Sequence, residues 1–583
     1  MLLVSSIVGV ALAAIVALLR GRLPREIAIA IVTVFAVGPL AAVGRTELGQ
    51  DTGRALWEWS AVGGAVVQAA YHIDPLAVTA ATVVAIATGI ALVASSRVAG
   101  VFVPALLAAL ALVLIALVAT TDVVVAALVA GTAAALAVAA ALFVAPVGAA
   151  ARLAALLAIG VECFIAAALL LARSGVASFD LDDVMPAAVS SGVVLAAVIG
   201  GALFAGLYPF VAWRYERAAA ASAVARLRGL ALFPTGVAAS VFAFRVIATS
   251  GLRPDQIALP SLSVEMHAAV LAIVLVLAAL AIRAAPRAAI PRRAVTAAVF
   301  VAAALALPFL SVAHVMALLA LLTIVYATVA STAVVEEWSV ARFDVRLAVV
   351  WAAYASGSAP SLAAALFGLV ATAFALVLET IPLPKLPGAA IATSARLLNL
   401  VGPFLALAGV AFAPDPLAGA LSGLVLAFAA LLELGHAVRE GGTHARDVGE
   451  RAFSALVAVA IVFVVSLVAS LAATSAAVDL LGPLPAEALD LVLVALALLA
   501  VALAVVVVAL PGTIRARLGA RGVGMLRRVL ALTDPVPALA LGYRALEAWS
   551  ERIGAGFATF EDRAGIWLAT ALIALALLWA ATS

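Results

Sequence analysis

Lysine and cysteine are almost missing from this chain. Lys385 and Cys163 are the sole examples of each in 583 residues. One cysteine excludes an intrachain disulfide and any cysteine-built metal cluster. With Lys385 set in the proline-rich stretch IPLPKLPG, arginine carries nearly all the positive charge, and arginine stays protonated at every physiological pH. Charge of either sign is scarce, at 11% of residues, against 67% hydrophobic and a mean hydropathy of +1.29. A soluble chain is roughly 25% charged, so water is not the solvent for most of this surface. The net charge is only +3; its distribution matters more than its sum, and no nucleic-acid partner is expected. No cysteine cluster, haem motif or dinucleotide fingerprint is present, so no cofactor is expected either. His436 and His444, the closest pair of the five histidines, sit in a charged loop and read as solvated.

What is abundant is the long apolar run. Stretches of about 18 or more residues recur from end to end, each able to cross about 30 Å of hydrocarbon as a helix. Candidate spans fall at about 2–19, 26–44, 74–95, 100–119, 121–145, 150–172, 186–213, 227–249, 264–283, 294–311 and 313–335. Others follow at about 346–380, 392–413, 416–436, 452–474, 487–510 and 564–581. The fold expected is an all-α polytopic membrane protein of about 14–17 transmembrane helices. The start, MLLVSSIVGVALAAIVALLRGRLPRE, has its basic residues after the apolar core and reads as a first span, not a cleaved signal.

Loop charge sets an expected orientation. Arg20, Arg22 and Arg25, then Arg214, Arg217, Arg226 and Arg228, then Arg283, Arg287, Arg292 and Arg293 fall in odd-numbered connections. The even connections are arginine-poor and include FDLDD (Phe179 to Asp183). With the N-terminus outside, the odd connections are cytoplasmic and the positive-inside rule holds through the first dozen spans. It then fails: HAVREGGTHARDVGER (His436 to Arg451) and the arginine-rich 515–528 segment would fall outside. One segment between about 346 and 436 is therefore miscounted. The 512–563 region mixes arginine with apolar residues at helical spacing, suiting an amphipathic helix, a partner-bound helix or a solvated linker.

Two spans carry an interruption. GALFAGLYPFVAWRYERAAAA (Gly201 to Ala220) places Pro209 in the seventh, and SGSAPS (Ser356 to Ser361) places Gly357 and Pro360 in the twelfth. Each proline removes a backbone donor, and in lipid the freed carbonyl needs another partner. Each alone reads as a tolerated kink. Two breaks five spans apart are the trace of an internally repeated transporter.

These motifs, taken in order, resemble the antiporter-like membrane subunits of respiratory complex I, membrane-bound hydrogenases and multisubunit cation/proton antiporters. HIDPLAVTAATVVAIATGIALVASS (His72 to Ser96) looks like that family's third helix, and GLYPFVAWRYERAAAASAVA like its broken seventh. AIPRRAVTAAVFV (Ala289 to Val301) sits where a Lys-Arg pair opens the tenth, with Arg292 and Arg293 here. HVMALLALL places His314 at the start of the eleventh, and ASGSAPSLAAALF is similar to the break in the twelfth. The resemblance covers about residues 70–370. It implies N-terminal helices over 1–99, two inverted five-helix repeats over 100–250 and 251–413, and extra C-terminal helices over 414–583. It also implies a bacterial cytoplasmic (inner) membrane location, other membrane subunits as partners alongside the lipid bilayer, and protons or monovalent cations as cargo.

The departures matter as much. Pumping members of that family carry a glutamate in the fifth helix and lysines in later ones, because a buried lysine shifts its pKa readily. Here the seventh span reads LFAGLYP and the fifth has no glutamate, so the relay is missing and pumping is altered or lost. Inside the membrane, Glu162 is the conspicuous carboxylate, either a proton site or the partner of an arginine. Arg245, Arg226 and Arg228 are candidate partners or snorkelling side chains. His314 would relay protons or bond a helix end. Glu379, and Glu433 with His436, sit at span ends and read as interfacial. Two other readings are a stand-alone secondary transporter and a membrane enzyme on a lipid-linked substrate, the latter resting on DLDD alone.

Overall fold

The computed structural model describes residues 52–60, 65–98, 102–144, 147–208, 223–259, 310–333, 338–380, 388–441 and 473–485, with a few isolated positions besides. Among these, a two-stranded sheet precedes eleven α-helices that reach to Gly441, and a further helical stretch covers 473–481. Strands β1 (Thr52–Ser60) and β2 (Val66–Ile73) pair antiparallel, Thr52 opposite Ile73, with a bulge between Ala55 and Glu58. Then come α1 (Pro75–Val98), α2 (Phe102–Ala119), α3 (Val123–Val144), α4 (Val147–Arg173), α5 (Ser191–Ala205) and α6 (Ala223–Thr249). The second group is α7 (Val312–Ala333), α8 (Trp338–Ala355), α9 (Ala359–Thr380), α10 (Gly388–Gly409) and α11 (Pro416–Gly441). Seven of the described helices are long and apolar enough to cross a membrane. Helices suit these sequences because lipid offers the backbone no hydrogen bonds, and a helix makes its own.

Long-range contacts gather many helix ends at one face. Val66 N–H donates to Ala177 at 2.8 Å and Thr121 N–H to Ala70 at 3.4 Å, joining the hairpin to the α2–α3 turn and the α4–α5 loop. Val312 N–H donates to Ile257, joining the start of α7 to the segment after α6. Gly357, between α8 and α9, packs against Asp255 and against Pro414 before α11. We call this the first face. The helix ends at Val98, Phe102, Val144, Val147, Ala333, Trp338, Thr380 and Gly388 form the second.

The twelfth candidate span departs from expectation. Residues 346–380 are not one interrupted crossing but parts of two helices, α8 and α9, running antiparallel. Arg342 near the start of α8 bonds both carboxylate oxygens of Glu379 near the end of α9, at 3.0 and 2.7 Å. Gly357 makes the turn at φ 67°, a left-handed conformation that glycine adopts without strain. Pro360 falls in the first turn of α9, where the missing N–H costs little.

Close packing depends on small residues. On α4 and α5, Phe164 and Phe204 stack at 5.6 Å between centroids, and each ring lies over the other helix's glycine, Gly200 and Gly160. On α9 and α10, Gly368 and Gly402 meet backbone to backbone; a Cβ at Gly368 would lie 2.6 Å from the Gly402 Cα. Ser361 on α9 and Ser358 just before it donate to the carbonyls of Ala406 and Gly409 on α10, at 2.9 and 2.6 Å. Such small-residue seams suit membrane helices, whose association gains little from hydrophobicity.

Candidate functional site

The seventh span breaks, and glycine is what ends it. Helix α5 starts at a Ser190 cap whose side chain accepts from Val193 N–H, then stops after 15 residues. That is about 22 Å, short of the hydrocarbon core. Gly206, at φ 63°, turns the chain, and Leu207 N–H closes back on Ala202 at 3.0 Å, the 6→1 bond of a Schellman cap. The next donor, Tyr208 N–H, finds the Thr323 hydroxyl oxygen on α7 at 2.8 Å. Thr323 lies eleven residues beyond Val312, roughly 16 Å below the first face. The interruption therefore sits at mid-membrane depth, with a side-chain hydroxyl meeting its backbone. Pro209 itself lies outside the described residues.

A second group of polar side chains runs along α8. Trp351 Nε1 donates to Ser240 Oγ at 2.8 Å and the Tyr354 hydroxyl to the Phe244 carbonyl at 3.2 Å, fixing α8 against α6. Arg346, 2% exposed, pairs with Glu433 of α11, 5% exposed. Asp344, two residues earlier in α8, is wholly buried. Arg346 stands eight residues into α8, roughly 12 Å from the second face. Its Nε and Nη1 find no hydrogen-bond partner among the described residues. A charge this deep is expensive unless paired, and marks a functional site by default. One turn nearer the second face, the Arg342–Glu379 pair is partly exposed.

The sequence-predicted residues scatter around this core. Glu162 is exposed on the outer face of α4, and Arg245 does not reach it. Arg245 instead pairs with Asp74 at 2.8 Å and donates to the carbonyls of Val118, Thr120 and His72, tying four segments at the first face. His314 accepts from Ser311 N–H at 3.0 Å through Nδ1, so histidine takes the glutamate's place in a capping box. Its Nε2 faces Asp415 at 3.4 Å. Arg228 lies on the first turns of α6, its side chain outside the described residues, as are Arg292 and Arg293 entirely. Glu379 is partly exposed near the end of α9. Glu433 is not: it is buried, drawn in by Arg346. No group of three or more His, Cys, Asp or Glu side chains among the described residues could hold a metal ion.

The fold is shared with chains of two membrane complexes. One is a chain of the Mrp complex from Dietzia sp. DQ12-45-1b, at 18% identity and TM-score 0.59, matching 100% of this chain and 63% of that one. The other belongs to the membrane-bound sulfane sulfur reductase, an archaeal respiratory membrane complex, at 12% identity and TM-score 0.55, over 94% and 95% of the two chains. This chain thus spans under two thirds of the Dietzia chain's length. No protein-family model and no curated protein matches it. At such identities the likeness is one of fold, and it is the fold of polytopic helical membrane subunits.

The first face is rich in carboxylates. Asp122 accepts from Val124, Val125 and Gln68 N–H at 2.9, 3.0 and 2.7 Å, capping α3 and pinning the hairpin. Burial nonetheless pushes its carboxyl above the usual range, and that of Asp180 likewise. His72 is pushed up to about 9, chiefly by its hydrogen bond to Asp182, and so is charged at neutral pH. Asp344, Arg346 and the depth of Glu433 escaped the sequence reading. The signal was there: three charges, Arg342, Asp344 and Arg346, on one helical segment.

Proposed function

We propose that the chain is a divergent antiporter-like subunit, of the proton-translocation type, within a larger membrane assembly of the complex I, hydrogenase or cation/proton antiporter kind. The observation that carries this reading is the mid-membrane end of α5 held by Thr323, in a fold shared with chains of two such complexes. Helices interrupted at mid-depth, with backbone groups turned into the bundle, are how transporters expose polar backbone away from lipid. The five helices α2–α6 fill the first repeat, 100–250, and α7–α10 belong to the second. The two breaks are not equivalent, since Gly357 turns a hairpin at a face while Gly206 ends a helix inside. That weakens the case for a stand-alone transporter built on paired breaks.

With the lysine relay missing, Asp344 and Glu433 are the carboxylates buried deep between the helices among the described residues. A proton would enter from the second face past Arg342 and Glu379 and load Glu433, with Arg346 as its counter-ion. Arginine cannot carry the proton itself. The chain purified in mild detergent is expected to bring other membrane subunits with it. In vesicles of that assembly, Glu433→Gln is expected to lower proton uptake at least tenfold, as loss of a titrating group would. Elution as a lone chain, or unchanged uptake by the variant, would sink this reading.

The same reading orients the chain. Splitting 346–380 into α8 and α9 adds one crossing, which moves the loop at 436–451 and the 515–528 segment to the side of the other arginine-rich connections. The positive-inside rule then holds along the whole chain. The second face is cytoplasmic, and the carboxylate-rich first face and the N-terminus are outside. In a Cys163→Ser background, a maleimide added to intact cells should label Ala187→Cys, and label Thr443→Cys only after permeabilisation. The reverse pattern contradicts the orientation.

A further inference from the structure

Glu162 raises a different question from the buried pair, because it points out of the bundle. It stands 15 residues into α4, with eleven more before Arg173, so it lies near mid-membrane whichever end is counted. Its neighbours along the same stripe, Ile159, Ile165 and Leu169, are 47%, 45% and 67% exposed. Adjacent α3 exposes Leu128 and Leu142 in the same way. Among the described residues, no side chain bonds or pairs with Glu162. The contrast with the inner helices is sharp: 39% of the α4 span is buried, against 89% for those of α1 and α6.

An apolar stripe would by itself be an ordinary lipid-facing surface. A carboxylate at its centre is not, because hydrocarbon offers it neither water nor a donor. Snorkelling does not relieve it, since a glutamate side chain is too short to reach either headgroup layer from mid-depth. We propose that the α3–α4 face is covered by a transmembrane helix of another subunit, presenting an arginine, lysine or histidine opposite Glu162. This rests on the reading of the chain as a subunit of a larger assembly, and it names the surface through which the chain joins that assembly. The apolar flanks give close packing, and the single charge sets depth and partner, as a lone buried polar pair does in helix association.

The test uses the intact assembly purified in mild detergent. A benzophenone amino acid at Ile159 or Ile165 is expected to crosslink a transmembrane peptide of another subunit, with a basic residue within one turn of the linked position. The same probe at Ala197, buried on α5, should link only this chain. Glu162→Arg should lower retention of that subunit at least tenfold, and the reciprocal change of its basic residue to glutamate should restore it. Should Glu162→Arg fail to insert, Glu162→Leu serves, leaving the chain's own melting temperature unchanged while releasing the partner. Crosslinks to a second copy of this chain, adducts to lipid alone, or full retention by Glu162→Leu would each overturn the proposal. In that last case the assembly persists and the functional reading survives; a chain that purifies alone overturns both.

Discussion

Arg346→Met is expected to destabilise the folded chain by about 3–5 kcal/mol, because it leaves the Glu433 carboxylate buried without its cation. The comparison that gives this number meaning is the double variant. Arg346→Met with Glu433→Leu removes both charges and fills the space with apolar atoms, and should be near neutral or more stable by about 1–4 kcal/mol. Unfolding in mixed micelles, followed for the two single variants and the double, yields a coupling energy for the pair. A pair retained only for stability predicts a double variant that is both stable and active in its assembly. A pair retained for ion movement predicts one that is stable and inactive. A single variant costing under 1 kcal/mol would mean that water already solvates Glu433.

The same side chains explain what was legible in the sequence. A hydropathy window found α1, α3 and α4 within a few residues, since a single charge, Glu162 of α4, falls inside their apolar cores. It missed the first half of α8, because Arg342, Asp344 and Arg346 each count as hydrophilic. Their partners, Glu379 and Glu433, lie 37 and 87 residues away, and no local window can credit a charge with a distant counter-ion. So the start of α8 was trimmed away and its remainder fused with α9. The fused span of 35 residues would be about 52 Å long, far more than a bilayer needs. The failed arginine count pointed to that same region.

Breaks were legible in place and not in kind. Proline marked the first, yet the residue ending α5 is Gly206; Gly357 and Pro360 marked the second, and it is Gly357 that turns α8 into α9, each glycine at positive φ. Proline forbids helix, whereas glycine permits the turn, and only the second decides where the chain goes. Capping chemistry was under-read as well. Asp74, within the stretch that resembles a third helix, accepts from Ala77 N–H at 2.5 Å and also binds Arg245, 171 residues away. His314 was taken as a relay or a carbonyl partner, but its Nδ1 accepts from a backbone N–H, an arrangement that needs that nitrogen unprotonated. What Glu162 does depends on a neighbour that no single chain contains.

Gly402→Leu should be the most damaging substitution in the α9–α10 seam. The Gly402 backbone rests directly on Gly368, and a Cβ there would overlap the Gly368 Cα, an atom that cannot rotate away. Adding even one methyl forces the helices apart, at about 1–3 kcal/mol for Gly402→Ala by analogy with overpacked cores. The larger side chain also pulls Ser361 and Ser358 off the carbonyls of Ala406 and Gly409, which have no water to replace them. Gly402→Leu is therefore expected to abolish monodisperse elution altogether. Gly435, with nothing within 4 Å of its would-be Cβ, is the control. There, Gly435→Ala should be neutral or gain about 0.5–1 kcal/mol from helix propensity. Size-exclusion profiles and melting curves of the three variants decide the matter: if Gly402→Leu elutes and melts like Gly435→Ala, the two helices do not touch at these glycines.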